Sequence, residues 1–372
     1  MLSTRDNNAL CGLSPLKFGA IIASTEAKNY IHEVTYNGQK MVAKVFIDND
    51  LVSKEINMTR VASGMLSETR RNFPHLYNVG YHAYGRTPKS RKVMLLERGS
   101  ELSSTFLSCH NVSTVRTILV QLLIPLVELH TRGLLHSDVK LENYLGRLST
   151  PFTSRYEYVH NGAKYIIVTP KQLPEPFLID YELAHRHQFG IPLTQSIVCT
   201  VSHRPPELMF VRAGAELFYD TKGEAFSYGI TVLQAIGVMP ATELCYNEDV
   251  AVQIRNKLRE MRDMDDVFSL AYGFETRIII AANLLRLVSV IGCPPEDSPY
   301  YETPLGKIIF NNLYIIATNP YYDCVWSHPL TNLCLGAQGI AMLRKALVWD
   351  PNERCSCEEL LAHPYFAELI SL

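Results

Sequence analysis

At 372 residues, with 47% apolar and 19% charged side chains, the chain is long enough for one large domain or two lobes with substantial cores. Lys+Arg 35 against Asp+Glu 37 leave a net charge of -2, which excludes a global basic field that would draw nucleic acid or an anionic membrane surface. The 9 cysteines are odd in number and follow no framework spacing, which excludes a disulfide-stapled secreted domain and fits a reducing compartment.

Residues 1–15 form a polar lead-in without the apolar run of a secretory signal. Lys17–Ala23, Tyr30–Thr35 and Met41–Ile47 are short runs rich in β-branched and aromatic residues and predict three strands. Asn37-Gly38 joins the second and third, because both residue types accept the positive φ of a tight hairpin. A helix is expected over about Leu51–Met65, then strands at Leu76–Tyr84 and Lys92–Glu97. Beyond Gly99 the character changes. Val112–Thr131 has helical periodicity, with Pro125 as a possible bend. The longest apolar run, Ile118–Val127, is too short to span a bilayer, so a soluble protein is expected.

Residues 147–176 read as an insertion, with Tyr156–His160 and Lys164–Val168 flanking a second Asn-Gly turn in a hairpin. Helical patterns then dominate, at Ala225–Ile236, Val250–Met264, Thr276–Ile291, Gly336–Leu347 and Cys357–Leu361. Cys355, Cys357 and His363 lack the second ligand pair that a zinc site requires and read as incidental.

Three segments carry chemistry. In Leu135-His136-Ser137-Asp138-Val139-Lys140-Leu141-Glu142-Asn143-Tyr144-Leu145, a carboxylate, an ammonium and a carboxamide share one short loop. Phosphoryl transfer needs such groups to orient a hydroxyl, neutralise phosphate and hold a metal. In Pro176-Phe177-Leu178-Ile179-Asp180, a carboxylate projects from the end of an apolar strand, where a phosphate-bridging metal can be held. In Met41-Val42-Ala43-Lys44-Val45-Phe46, a lysine interrupts an apolar strand.

The first segment resembles the protein-kinase catalytic loop His-Arg-Asp-x-Lys-x-x-Asn, the second the Asp-Phe-Gly element, the third the Val-Ala-Ile-Lys strand. Arg204-Pro205-Pro206-Glu207 is similar to the Ala-Pro-Glu that closes a kinase activation segment. Glu224-Ala225-Phe226-Ser227-Tyr228-Gly229 is similar to the opening of the central lower-lobe helix. Asp350-Pro351-Asn352-Glu353-Arg354 resembles the region that supplies an arginine partner for that glutamate, so a buried Glu207–Arg354 pair is expected. The motifs run in kinase order over roughly residues 15–368, and their wording resembles kinases encoded by large DNA viruses such as herpesviruses.

The resemblance implies an α+β, bilobal protein-kinase-like fold, with a lead-in at 1–15, a small β-rich N-lobe at 16–98 and a larger, mainly helical C-lobe at 99–372. It implies Asp138 as the base or hydroxyl-orienting residue and Lys140 as the γ-phosphate contact. Asn143 and Asp180 would hold Mg²⁺, while Lys44, paired with Glu55, would meet the ATP phosphates. Ser24 and Ile31 would flank the nucleotide, and His136 would be structural. Lys140 and Thr200 are in the serine/threonine-type arrangement. A monomeric, intracellular enzyme of the cytoplasm or nucleus (of the host cell, if viral) is expected, acting on protein hydroxyls with no nucleic-acid or membrane partner.

The pattern breaks in three places. Ser24-x-Glu26-x-x-Asn29-x-Ile31 stands where Gly-x-Gly-x-x-Gly-x-Val belongs, which removes the glycines that let backbone amides approach phosphate. Glu182 replaces the glycine after Asp180 and Tyr181. Ser137 replaces the arginine that in kinases often receives an activation-segment phosphate, so activity without phosphorylation of Thr194, Ser196 or Thr200 is expected. The alternatives are a pseudokinase, the same fold used as a scaffold, and a small-molecule kinase, against which the Arg204–Glu207 element and Arg354 argue.

Overall fold

The computed structural model describes residues 16–25, 29–47, 52–65, 72–83, 90–102, 111–147, 154–160, 163–169, 175–187, 199–210, 218–239, 274–311 and 325–371, with 252, 255, 256 and 259. The lead-in, Glu26, Thr194, Ser196 and most of the expected helix Val250–Met264 lie outside these residues.

Strands β1 (Lys17–Thr25), β2 (Asn29–Tyr36) and β3 (Gln39–Phe46) come first, followed by helix α1 (Val52–Ser63), β4 (Leu76–Ala83) and β5 (Ser90–Glu97). They build one antiparallel sheet in the order β1-β2-β3-β5-β4. Asn37 (φ 48°) and Gly38 (φ 76°) make the tight turn that the sequence predicts. Alternation along β3 sends Met41, Ala43 and Val45 to one face, where they pack with Val34, Val93 and Leu95. Phe46 goes to the other face, where Met94 packs with Val52 and Ile56 of α1. Lys44 is on that second face, aimed at α1.

Strand β6 (Gly99–Glu101) follows β5 directly, then helix α2 (Val112–His130), β7 (Leu134–Leu135), β8 (Tyr144–Arg147), the hairpin β9 (Ser154–His160)–β10 (Ala163–Thr169), β11 (Pro176–Leu178) and β12 (His185–Arg186). Short sheets β11-β8-β6 and β12-β7 frame the loop 136–143. The rest is helical: α3 (Pro206–Met209), α4 (Thr221–Ala235), α5 (Phe274–Ile291), α6 (Pro304–Asn311), α7 (Pro329–Ala346) and α8 (Cys357–Leu361), ending in β13 (Ile370–Ser371). β13 adds a third strand to the β9–β10 hairpin.

Two helices begin earlier than their periodicity suggests. Asp220 caps α4 by accepting from the backbone N–H of Lys222 and Gly223, five residues before Ala225. Helix α7 starts at Pro329 under a His328 cap, and Gly336 (φ 63°) kinks its interior rather than opening it. Cys355 and Cys357 are free thiols beside α8, and the Cys357 thiol lies within the core.

Helix α2 is the axis of the main core, with residues Val115 and Thr117–Leu129 buried nearly without a break. It is long and apolar enough to cross a membrane by composition, but 83% of its most apolar window is buried inside the fold. Pro125 has no N–H to give to the carbonyl of Gln121, its i−4 neighbour. Asn72 fills the gap: its Nδ2 donates to Gln121 O (3.3 Å), while its own carbonyl accepts from Leu178 N (3.0 Å). Arg147 ties the same region to β5, donating to Glu97 from Nε (2.5 Å) and from Nη2 (2.7 Å), and to the Phe73 carbonyl (3.0 Å).

Candidate active site

Lys44 is mid-strand on β3, opposite Ile31 of β2 and Met94 of β5, so its side chain must leave the sheet toward α1. There Glu55, in the first turns of α1, meets its Nζ at 2.5 Å, and Asp180 meets the same nitrogen at 3.0 Å. Lys44 and Glu55 are buried, whereas the Asp180 side chain is 35% exposed. Burial works against the Lys44 ammonium, but the Asp180 and Glu55 carboxylates outweigh it and hold its pKa above that of an ordinary lysine. Burial pushes the Glu55 carboxyl up, to about 7, against the pull of Lys44. Desolvation by the surrounding protein also opposes the Asp180 charge, but Lys44 keeps its carboxyl below the usual range.

The loop after β7 carries the second group. The backbone N–H of Asp138 reaches His136 Nδ1 (3.3 Å), which must accept, so His136 Nε2 carries the proton and donates to Ile179 O (2.9 Å). His136 is thereby a brace between this loop and the residue before Asp180. Asp138 Oδ2 receives Lys140 Nζ (2.9 Å) and Asn143 Nδ2 (3.0 Å). Its Oδ1 receives both the N–H (3.0 Å) and the hydroxyl (2.7 Å) of Thr200, and Lys140 Nζ also donates to that hydroxyl (2.8 Å). Burial disfavours the Asp138 charge, but Lys140 and then Thr200 outweigh it and hold the pKa below the ordinary aspartate value. Lys140 is raised in turn, because Asp138 overcomes its desolvation.

With its amino group committed to Asp138, Asn143 has Oδ1 as the atom to offer a cation. Asp180 adopts φ 66°, a left-handed conformation that a non-glycine residue keeps only where its surroundings enforce it. These two oxygens are the hard donors that Mg²⁺ selects, so the residues present fit that ion. Glu182 brings a third carboxylate within 4.8 Å of those of Glu55 and Asp180. It is not among the described positive-φ residues, so no glycine is required at its position.

The structure thus brings Lys44, Glu55 and Asp180 into one group, and Asp138, Lys140, Asn143 and Thr200 into another. Ile31 faces the same side of the sheet as Lys44, its cross-strand partner. Ser24 is exposed near the end of β1 and makes no hydrogen bond to either group among the described contacts.

Supports lie behind the loop, some of them, such as Glu224, within motifs that the sequence already singles out. Glu224, fully buried at the start of α4, accepts the N–H of Ser137 (2.5 Å) and the Nε2 proton of His130 (2.7 Å). Burial would raise its pKa, but the His130 hydrogen bond keeps it below the usual value. Glu142 accepts from Gln234, whose Oε1 faces His203 Nε2 at 3.0 Å. The expected Glu207–Arg354 pair is present, with both terminal nitrogens of a buried Arg354 on the two oxygens of Glu207 at 2.9 Å.

Comparison with known proteins agrees with this geometry. The protein kinase domain matches residues 36–366. Similar proteins include the serine/threonine-protein kinase SSN3 of Phaeosphaeria nodorum, 22% identical over 269 residues, covering 68% of this chain and 51% of that protein. The meiosis induction protein kinase IME2/SME1 of Saccharomyces cerevisiae is 23% identical over 265 residues, covering 70% of this chain and 35% of that protein. The chain therefore spans about half and about a third of the lengths of these relatives. With a kinase domain matched across most of its length, the chain belongs to the protein kinase family.

Proposed function

We infer that the chain transfers the γ-phosphate of ATP to serine or threonine hydroxyls of proteins, dividing the work between an N-lobe at 16–98 and a C-lobe at 99–372. The observation that carries this reading is the Asp138–Lys140–Thr200–Asn143 cluster. A carboxylate is kept ionised beside a cation and a hydroxyl, 42 positions away from Asp180 in sequence but linked to it through His136 and the Ile179 carbonyl.

In this reading Asp138 accepts a hydrogen bond from the acceptor hydroxyl and aligns it, while its depressed pKa keeps it ready to take the proton late. Lys140 balances the charge of the transferring group, and Thr200 fixes both side chains. Lys44, oriented by Glu55, anchors the remaining phosphates. Asn143 and Asp180 would hold Mg²⁺, which would supply neutralisation of phosphate charge. Ile31 and Ser24 line the nucleotide's entry from the sheet. The acceptor is protein, as in relatives whose names describe protein kinases, and the setting is intracellular.

A second reading, a scaffold with weak or absent transfer, draws on Ser24 and Asn29, which stand where phosphate-cradling glycines belong. Incubating the protein with Mg·ATP and a generic acceptor, beside Asp138→Asn and Lys44→Met, separates the two. Transfer lost in both variants is the expected result. Nucleotide binding without transfer in the unaltered protein favours the scaffold.

A further inference from the structure

The notable feature of the loop 136–143 is the residue that departs from the family pattern. Ser137 is fully buried at φ 66°, and each of its polar groups is bonded to a different segment. Its N–H donates to Glu224 of α4 (2.5 Å), and its carbonyl accepts from the N–H of Cys199 (2.7 Å). Its Oγ meets His185 Nδ1 of β12 (2.9 Å). His185 Nδ1 also faces the Leu183 carbonyl (3.3 Å), which can only accept, so this nitrogen carries the proton and Ser137 Oγ receives it.

His185 lies just past Asp180, at the start of the segment that closes at Glu207. Cys199 lies near its end and immediately precedes Thr200, the residue that holds Asp138 and Lys140. Both ends of the segment are therefore fastened to one serine. Backbone pairing of β12 with β7 and the His187 N–H on Gly133 O (2.8 Å) reinforce the first end. Cys199 is itself at φ 65°. Two non-glycine residues in the left-handed region are strained, and they persist only where bonds over-determine them.

We propose that Ser137 and His185 are positioning residues that hold the catalytic loop to both ends of the activation segment through neutral hydrogen bonds, so the segment is set for transfer without a phosphate. This deepens the kinase reading and rests on it for its catalytic consequence. A buried hydroxyl at 137 offers no cation to a phosphate, and the link to His185 already does the fastening.

The test uses the full chain before and after phosphatase treatment, with His185→Ala, His185→Asn and Ser137→Ala. Asparagine places an amide nitrogen where Nδ1 stands. Phosphatase is expected to leave kcat unchanged. His185→Ala should lower kcat about 10- to 100-fold, with KM for ATP within about twofold, the signature of misplaced catalytic groups. His185→Asn should recover most of that loss. Hydrogen–deuterium exchange at residues 134–139 and 199–200 should rise in His185→Ala and return in His185→Asn. If His185→Ala does not fold, Ser137→Ala replaces it in both measurements. Exchange is read whether or not phosphate is transferred, so an inactive wild-type protein would sink the kinase reading and leave the exchange result to decide the tether. Activity lost on dephosphorylation, or exchange and kcat unmoved by the variants, overturns the proposal.

Discussion

Arg354 grips Glu207 with a two-pronged hydrogen bond, 2.9 Å on each side, while its Nε and Nη2 also donate to Val348 O (3.1 and 3.0 Å) and its plane lies over Phe226. The guanidinium is buried and the carboxylate 21% exposed, so the arginine has more to lose if the pair is broken. This contact ties α3 to the region before α8. Glu207→Ala should cost about 3–5 kcal/mol, because it strands a buried guanidinium, and Arg354→Ala somewhat less, because the Glu207 carboxylate it leaves has partial access to water. Arg354→Lys should recover only part of the loss, since an ammonium cannot reproduce the planar fork. Urea unfolding with an unchanged m-value is the measurement. A loss below about 1 kcal/mol in Arg354→Ala would show that the pair is dispensable.

Thr200 supports two groups at once, giving its N–H and hydroxyl to Asp138 while accepting from Lys140. Thr200→Ala should lower kcat by about 10- to 100-fold, with little change in nucleotide KM, because alignment rather than binding is lost. Thr200→Ser keeps the hydroxyl and should retain most of the rate. Equal impairment of the two variants would mean that the hydroxyl does not position the cluster.

How far the sequence exposed this site depends on chain separation. Asp138, Lys140 and Asn143 lie within one loop, so local spacing alone placed them together. Lys44 and Glu55 were recoverable because a strand followed by a helix leaves few ways for their side chains to meet. The Ser137–His185–Cys199 junction and the Glu97–Arg147 pair left no such mark, since each joins distant segments through bonds that any serine, histidine or arginine can make. Helix starts failed for a local reason. Asp220 and His328 are caps placed ahead of the apolar periodicity, and Gly336, read as the start of a helix, is a kink within one. Ser24 is placed at the nucleotide by alignment to a glycine loop alone, since a nucleotide contact through an exposed strand end leaves no bond within the protein to find.

His203 gives the fold a defined acid sensitivity. Burial, then the nearby Arg286 guanidinium, push its pKa down to about 3 from 6.5. Its Nε2 donates to Gln234, and Ser202 Oγ donates to its Nδ1, so the neutral ring is fully bonded and a second proton would require the Ser202 hydroxyl to turn from donor to acceptor. The unfolded chain takes up that proton near pH 6.5 and the folded chain does not, so stability is complete above that pH and falls as the pH drops toward 3. From pH 7 to pH 5 this one group should remove about 2 kcal/mol. His203→Asn should lose less stability than wild type over that interval by about that amount, in parallel urea titrations. Equal pH dependence of the two proteins would show that His203 is free to protonate in place.

Asn72 and Pro125 form a compensated pair whose coupling can be measured. Proline leaves the Gln121 carbonyl without its helical donor, and the Asn72 amide supplies one from a segment between α1 and β4. Asn72→Ala should cost about 1–3 kcal/mol, because Gln121 O is then buried and unsatisfied. Pro125→Ala restores the missing N–H at the right place in the helix, so Asn72→Ala should cost much less in that background. The cycle should return a coupling of about 0.5–3 kcal/mol, with the double variant more stable than the two single effects sum to. The opposing force is steric: the ring of Pro125 is part of the packed core around α2, and its removal forfeits contacts. That loss is common to both Pro125→Ala proteins and cancels in the cycle, which leaves the carbonyl's satisfaction as the quantity measured. Strict additivity would mean that Gln121 O finds another donor, and that the backbone bond of Asn72 to Leu178 of β11 is the one that matters.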